Sequence, residues 1–77
     1  MNVKQKVRGF LGTFVDESSV ADDDNIFEKG LVNSLFAVQL VSFIEREFDL
    51  TINNNELDLD NFKDINSIAA LVESKME

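Results

Sequence analysis

Apolar and polar residues alternate along this chain with the period of amphipathic helices. The clearest stretch follows Asn33, where apolar residues recur three and four positions apart as far as Phe48, the spacing that places side chains on one face of a helix. Asn33 is a good helix cap because its side-chain oxygen accepts a backbone N–H of the first turn. We therefore predict a helix over residues 34–48 that ends at Asp49, with Ser34 as its first residue.

The same spacing predicts a helix before this segment and two after it. The first should cover about residues 3–15 with Asn2 as its cap, and a short third helix should cover residues 56–61. The fourth should run over about residues 65–76 with Asp64 as its cap. The apolar positions expected in the core of the first and fourth helices are Val3, Val7, Phe10, Leu11, Phe14, Ile65, Ile68, Ala69 and Val72.

A long loop over about residues 16–32 separates the first two helices, and Ile26 and Phe27 should anchor it to the core. The predicted fold is all-α: a small four-helix bundle of three main helices and one short helix, with that long loop between helices one and two. All 77 residues, with 44% hydrophobic content and seven Phe, are expected to form one domain, residues 1–77.

The second helix should have one buried and one exposed side. At about 100° per residue, Leu40, Ile44 and Phe48 gather on one side together with Ala37 and Val41, and this side should be core. The opposite side carries Ser34, Leu35, Val38, Gln39, Ser42, Glu45 and Arg46. Phe36 has two possible environments, packed on the preceding loop through Ile26 and Val32 or exposed; we favour packing because an exposed aromatic ring is costly.

Composition limits the chemistry that the chain can perform. It has no Cys and no His, so it lacks disulfides, thiolates, the commonest general base and the commonest metal ligand. A Ser–Lys pair would need Lys29, which lies in the loop with nothing nearby to lower its pKa. We therefore expect no catalysis by this chain.

Charge is unevenly distributed. Residues 1–15 carry three basic residues and no acid, whereas residues 16–60 carry twelve acidic residues against two basic ones, within a net charge of −8. Such a surface repels nucleic acid and should attract basic partners, although acidic residues also keep small domains soluble and monomeric. We expect a monomer that binds no nucleic acid.

The acidic runs at residues 22–24 and 56–60 contain hard oxygen donors, but neither has the spacing of a calcium-binding loop. Solvated charge is the favoured interpretation, and no metal site is predicted. No apolar run is long enough for a membrane span and no signal segment is evident, so a cytoplasmic location is expected.

Ser34 is the candidate functional residue. A hydroxyl at the first helical position lies beside free backbone N–H groups and the positive end of the helix dipole, which favours an attached or bound phosphate. Simple capping is the alternative, since polar residues are common at helix starts.

Residues 27–50 resemble the core of the acyl and peptidyl carrier protein family, whose signature is a Gly, a short hydrophobic step, Asp-Ser-Leu and a helix that ends in an acidic-Phe segment. The matching residues are Gly30, Ser34, Leu35, Leu40, Glu47, Phe48 and Asp49. The resemblance implies that Ser34 carries a 4'-phosphopantetheine arm, installed from coenzyme A by a phosphopantetheinyl transferase. Asn33 stands where the family usually has Asp, which keeps the cap but removes a negative charge near the Mg²⁺ that the transferase uses.

The resemblance also implies a non-catalytic carrier that presents an acyl or aminoacyl thioester to loading enzymes, tailoring enzymes and synthase modules. It suggests that these partners dock on Leu35, Val38, Gln39, Ser42, Glu45 and Arg46. Within the family, the chain most resembles free-standing carriers of polyketide and nonribosomal peptide antibiotic pathways, such as those of hydroxy-, methoxy- or aminomalonyl extender units. The alternatives are a D-alanyl carrier of teichoic acid modification and an unmodified acidic helical adaptor.

Overall fold

The computed structural model describes residues 2–76 and contains four α-helices, with no β-strand in that range. They are α1 (Val3–Leu11), α2 (Ser34–Phe48), α3 (Leu59–Phe62) and α4 (Ile65–Met76), with short 3-10 turns at Glu17–Ser19 and Asn54–Glu56. The predicted all-α architecture of three main helices and one short helix, with a long loop after the first, is confirmed. The assignment of the whole chain to one domain stays a prediction.

α1 is shorter than the sequence predicted. Asn2 caps it as expected, with its side-chain oxygen 3.0 Å from the N–H of Gln5. The helix ends at Leu11 rather than near residue 15, because the Thr13 hydroxyl donates to the carbonyl of Phe10 at 2.7 Å and competes with the helical pattern, directly after the weak helix former Gly12. Phe14 therefore lies outside the helix and is 42% exposed, so its assignment to the core was wrong.

α2 has the predicted bounds. Asn33 precedes it in an extended conformation, and Asp49 follows it in the left-handed region at φ 53°. A short polar side chain tolerates that conformation better than most residues, and the Asp49 N–H still bonds the carbonyl of Glu45. The helix therefore ends at a sharp change of chain direction.

α3 begins three residues later than predicted. The segment expected to be helical from residue 56 first forms the 3-10 turn Asn54–Glu56, whose Glu56 carboxylate accepts the Asn53 N–H at 2.8 Å. Asp58 then caps α3 by accepting the N–H of Asp60 at 3.0 Å. The prediction of one helix over residues 56–61 was therefore wrong, because two local caps divide the segment.

α4 agrees with the sequence prediction, and so does the core, apart from Phe14 and from Phe10, which is only partly buried against it. Asp64 caps α4 by accepting the N–H of Ser67 at 2.6 Å. One apolar cluster joins residues of every helix and of the long loop. Its members are Val3, Val7, Leu11, Val20, Ile26, Phe36, Leu40, Ile44, Phe48, Ile52, Phe62, Ile65, Ile68, Ala69 and Val72.

The long loop is held at several points. Ile26 is fully buried, as predicted, and its N–H bonds the carbonyl of Lys63 at 2.8 Å. Phe27 is partly buried against the same core. The Arg8 guanidinium reaches the Asp22 carboxylate at 2.6 Å and the carbonyls of Glu17 and Val20 at 2.9 and 2.7 Å. Arg8, which the sequence identified only as a charge, therefore binds the loop to α1.

A core truncation tests the rotation of α2. Ile44→Ala should lower the free energy of unfolding by about 2–5 kcal/mol because it leaves a cavity beside a fully buried side chain. Val38→Ala, on the same helix but 64% exposed, should change it by less than about 0.5 kcal/mol. Urea denaturation of both variants measures the difference. Similar losses would mean that the helix faces are wrongly assigned.

The Arg8–Asp22 pair predicts a pH dependence of stability. The hydrogen bond from Arg8 is the main cause that holds the pKa of Asp22 below its ordinary value. The pair therefore stabilises the fold above the unfolded pKa of about 3.9, and this contribution is lost as the pH falls through the folded pKa. The wild-type protein should melt higher than Asp22→Asn at pH 7, and the gap should close below about pH 4.

The control is Asp23→Asn, which removes an exposed carboxylate next to the pair. Its melting temperature should stay close to that of the wild type across the same pH range. A gap for Asp22→Asn that is constant with pH would contradict the role given to Arg8.

Candidate functional site

Ser34 is exposed and is the first residue of α2. Asn33 caps the helix as predicted, because its Oδ1 accepts the N–H of Leu35 at 3.1 Å and that of Phe36 at 3.3 Å. The hydroxyl of Ser34 takes no part in this cap. It therefore stands at the positive end of the helix dipole and is accessible to another molecule.

Gly30 helps to place this helix start. It has φ 73°, with nothing within 4 Å of where a Cβ would lie, a backbone conformation that glycine adopts without strain. The turn around it brings the N–H of Leu31 to the carbonyl of Ile26 at 3.1 Å. The chain thus reverses from the buried Ile26 toward Asn33, so that one core residue and one glycine position Ser34.

The residue types considered above as a base for Ser34 were His, Cys and the lysine at position 29. The sequence contains no His or Cys, and the Lys29 ammonium lies 3.4 Å from the Asp24 carboxylate. The backbone N–H of Ala21 is the main cause that lowers the pKa of Asp24 below its ordinary value. The one amine considered as a base for Ser34 is therefore paired with a carboxylate.

A groove lies directly beside Ser34, between α2 and the segment that contains α3. It has a volume of about 290 Å³, and its walls are mostly apolar. The residues that line it are Ser34, Ala37, Val38, Val41, Leu57, Asp58, Leu59 and Phe62. The sequence had not assigned a role to Leu57 and Leu59, which are 50% and 59% exposed. The feature of the sequence that could have indicated their exposure is the alternation of Leu and Asp over residues 57–60, which is unusual for a buried helix.

The two sides of α2 are those that the sequence predicted. Leu40, Ile44 and Phe48 are buried, and Ala37 and Val41 are partly buried. Leu35 is 62% exposed and Val38 64% exposed, and Gln39, Ser42 and Arg46 are also exposed. That partner proteins use this side stays a prediction.

Phe36 is packed, as favoured, and only 2% exposed. Its ring lies 5.1 Å from that of Phe14, 5.7 Å from that of Phe10 and 6.4 Å from that of Phe27, measured between ring centres. These aromatic contacts join α1, the long loop and the start of α2. The start of α2 is thereby fixed on its buried side, opposite the exposed Ser34.

Glu45 has a structural contact that the sequence did not reveal. Its Oε2 accepts the backbone N–H of Ile52 at 2.8 Å, and the side chain is half-buried. Because the chain reverses at Asp49, Ile52 comes back alongside the last turns of α2. Glu45 thus binds the loop after α2, and its carboxylate is not wholly available to a partner.

Part of each acidic run is engaged within the protein. Asp22 pairs with Arg8, and Glu56 pairs with Lys75 at 2.7 Å. The hydrogen bond from Lys75 is the main cause that lowers the pKa of Glu56. Within residues 2–76 there is no group of three or more His, Cys, Asp or Glu residues arranged to hold a metal ion. In the same range, no helix is both long and apolar enough to cross a membrane.

A family model described as "Phosphopantetheine attachment site" matches residues 2–73. The chain belongs to this family of phosphopantetheine-dependent carrier proteins. The resemblance found around Gly30 and Ser34 is thereby confirmed at the level of the family. The cofactor of the family is a covalently attached 4'-phosphopantetheine.

The chain is similar over nearly its whole length to proteins named D-alanyl carrier protein. It is 33% identical to that of Lactobacillus acidophilus over 75 residues, which are 96% of this chain and 95% of the relative. It is 34% identical to that of Leuconostoc citreum over 76 residues, 96% of each chain. It is 36% identical to that of Bacillus velezensis over 70 residues, 88% of this chain and 90% of the relative. These names support the alternative cargo of the sequence analysis rather than its polyketide and peptide-antibiotic assignment.

The residues at the start of α2 fit the cofactor. The Ser34 hydroxyl is exposed at a helix N-terminus, where a phosphodiester is electrostatically favoured. The adjoining groove has mostly apolar walls. Asn33 is neutral, so the cap of α2 places no negative charge there that would repel a phosphate.

The Glu45 contact leads to a testable expectation. Glu45→Ala should lower the free energy of unfolding by about 1 kcal/mol and speed hydrogen exchange of the Ile52 amide about fivefold, because the hydrogen bond is lost. Glu47→Ala is the matched control, since Glu47 makes only a surface ion pair with Lys6. Exchange measured by NMR should show Ile52 unaffected in that control. Equal exchange rates in both variants would leave Glu45 as an open surface carboxylate.

Proposed function

We propose that this chain carries a D-alanyl group as a thioester on a 4'-phosphopantetheine arm attached to Ser34. The observation that supports the attachment point is the exposed hydroxyl at the first position of α2, within a chain that matches the attachment family over residues 2–73. The names of relatives that share about a third of its residues support the cargo.

The Ser34 oxygen is the nucleophile of the attachment step in this proposal. It forms a bond to the phosphorus that carries the pantetheine part of coenzyme A, while the bond from that phosphorus to 3',5'-adenosine bisphosphate breaks. The hydroxyl proton passes to the transferase, since the chain has no His and Lys29 is paired with Asp24. The arm supplies a thiol that holds the acyl group as a thioester, a function that a chain without Cys cannot perform with its own side chains.

The chain's own residues would hold and present the attachment point. Asn33 and the packed ring of Phe36 fix the start of α2, so the hydroxyl keeps one position relative to the exposed Leu35 and Val38. A rigid attachment point concentrates the far end of a flexible arm within reach of a docked enzyme. The chain in this role is a non-catalytic substrate of the transferase, and the helix N-terminus stabilises the phosphate charge at Ser34.

The proposed partners are the phosphopantetheinyl transferase, a D-alanine-activating loading enzyme and the enzyme that receives the D-alanyl group. They would dock on Leu35, Val38, Gln39, Ser42, Glu45 and Arg46. Glu45 would contribute mainly its second carboxylate oxygen, because Oε2 already accepts the Ile52 N–H. The net charge of −8 should speed encounters with basic surfaces. The cytoplasmic location predicted from the sequence is part of this proposal.

Extender-unit carriers and unmodified adaptors differ from this proposal in ways that one measurement separates. An extender-unit carrier would use the same serine and arm but accept another acyl group. An adaptor would need no modification of Ser34 at all. Intact mass therefore distinguishes the three hypotheses.

Mass spectrometry after incubation with coenzyme A, Mg²⁺ and a broad-specificity transferase should show a gain of about 340 Da, the mass of the arm. Ser34→Ala should show none, and Ser74→Ala, which alters an exposed serine of α4 away from both grooves, should gain the same mass as the wild type. Adding ATP, D-alanine and a D-alanine-activating enzyme should add about 71 Da more. An unmodified wild-type protein with several transferases would support the adaptor, and an arm charged only with other acyl groups would refute the D-alanyl assignment.

A further inference from the structure

A second groove lies on the other flank of the exposed side of α2, between α2 and α1. It has a volume of about 260 Å³ and is lined by Phe10, Val38, Gln39, Ser42, Phe43 and Arg46. Val38 borders this groove and also the groove beside Ser34. A protein bound in the second groove would therefore lie next to the attachment point without covering it.

The floor of this groove is aromatic and incompletely buried. The rings of Phe10 and Phe43 are stacked, with their centres 4.6 Å apart, and Phe14 continues the row at 5.3 Å from Phe10. Phe10 and Phe43 are only partly buried, and Phe14 is 42% exposed. Aromatic side chains are enriched at protein–protein interfaces, where they supply much of the contact energy.

The size of the groove decides what kind of occupant fits. Its volume of about 260 Å³ is smaller than the pockets of about 300–1,000 Å³ that hold drug-sized ligands. The space suits a single apolar side chain, with the polar groups of Gln39 and Ser42 at the rim for its backbone. A protein segment therefore fits the groove better than a small-molecule cofactor.

Arg46 gives the groove a charge that contrasts with the rest of the chain. Of the seven Lys and Arg residues, five are within ion-pairing distance of a carboxylate among residues 2–76. Arg46 and Lys63 have no carboxylate within ion-pairing distance among residues 2–76. Of these two, Arg46 lines the groove and Lys63 does not. The nearby Glu47 is neutralised by Lys6 at 2.7 Å, and Glu45 is bonded to Ile52.

We infer that the groove between α1 and α2 docks the enzyme that loads the arm, and that this enzyme inserts an apolar side chain next to a carboxylate that pairs with Arg46. The identity of the partner rests on the proposed function. Arg46 lies twelve residues beyond Ser34, roughly 18 Å along the helix axis, so the carboxylate contact is at the far end of α2, whereas Val38, which borders both grooves, lies close to the attachment point. A second copy of the chain is a poor occupant, because two chains of net charge −8 repel each other.

Steady-state loading kinetics test this inference. With the arm attached, Arg46→Glu should raise the KM for the carrier about tenfold, because it places two negative charges together at the interface, and should leave kcat within twofold. Lys63→Glu is the matched control, since it makes the same charge reversal at an exposed residue outside the groove; its KM should stay within twofold. Arg46→Lys should retain most of the wild-type affinity.

A second pair of variants tests the apolar part of the groove. Ser42→Trp should fill it from the rim and raise the KM by a similar factor, whereas Ser74→Trp, at an exposed position of α4, should not. Circular dichroism melts identify any variant that fails to fold. If the KM rises only for Arg46→Glu, or only for Ser42→Trp, the inference that one partner makes both an apolar and a carboxylate contact is wrong.

The outcomes separate the inference from the function on which it rests. A wild-type protein that gains the arm but is never charged with D-alanine refutes the proposed function, and the named partner with it. Normal charging with equal KM values for Arg46→Glu and Lys63→Glu refutes the groove inference alone. Sedimentation that shows a wild-type dimer dissociated by Arg46→Glu would make a second copy the occupant and would also refute it.

Discussion

The structure depends on the burial of one side of α2. Leu40, Ile44 and Phe48 enter the common core, and Phe36 packs among three other aromatic rings at the start of the helix. These contacts fix the rotation of α2 about its axis. A helix fixed in this way must present Ser34, Leu35 and Val38 outward, so packing that never touches the Ser34 hydroxyl nevertheless determines where it lies.

Polar contacts then fix the segments around that helix. Arg8 holds the long loop against α1 through Asp22 and two backbone carbonyls. Glu45 holds the chain after α2 through the Ile52 N–H, and Lys75 binds Glu56 before α3. In a domain this small, where a single core supplies only limited stability, such contacts keep the loops in place. They also set the position of Leu57 and Leu59 across the groove from Ser34.

The two flanks of α2 differ in chemistry, and this difference is suited to a carrier. The flank toward α3 is an apolar groove that begins at Ser34. The flank toward α1 has an aromatic floor and a cationic rim at Arg46 in an otherwise acidic molecule. A carrier protein directs its prosthetic arm by which enzymes bind it and where they bind. Under the proposed function, two distinct surfaces beside the attachment point would provide that choice.

The sequence by itself determined the helix caps and the bounds of two of the main helices. Asn2, Asn33 and Asp64 cap helices because the hydrogen bonds they make span two or three residues, and the bounds of α2 and α4 follow from an apolar period that both helices keep. The end of α1 and the start of α3 were predicted wrongly. Thr13 and Asp58 form local hydrogen bonds that compete with the helical pattern, and the spacing of apolar residues does not reveal such competition. Only the tertiary structure showed that Arg8 binds the long loop, that Glu45 reaches Ile52 and that Leu57 and Leu59 line the same groove as Ser34. Each of those contacts joins residues brought together by chain reversals, and their geometry depends on how the helices pack.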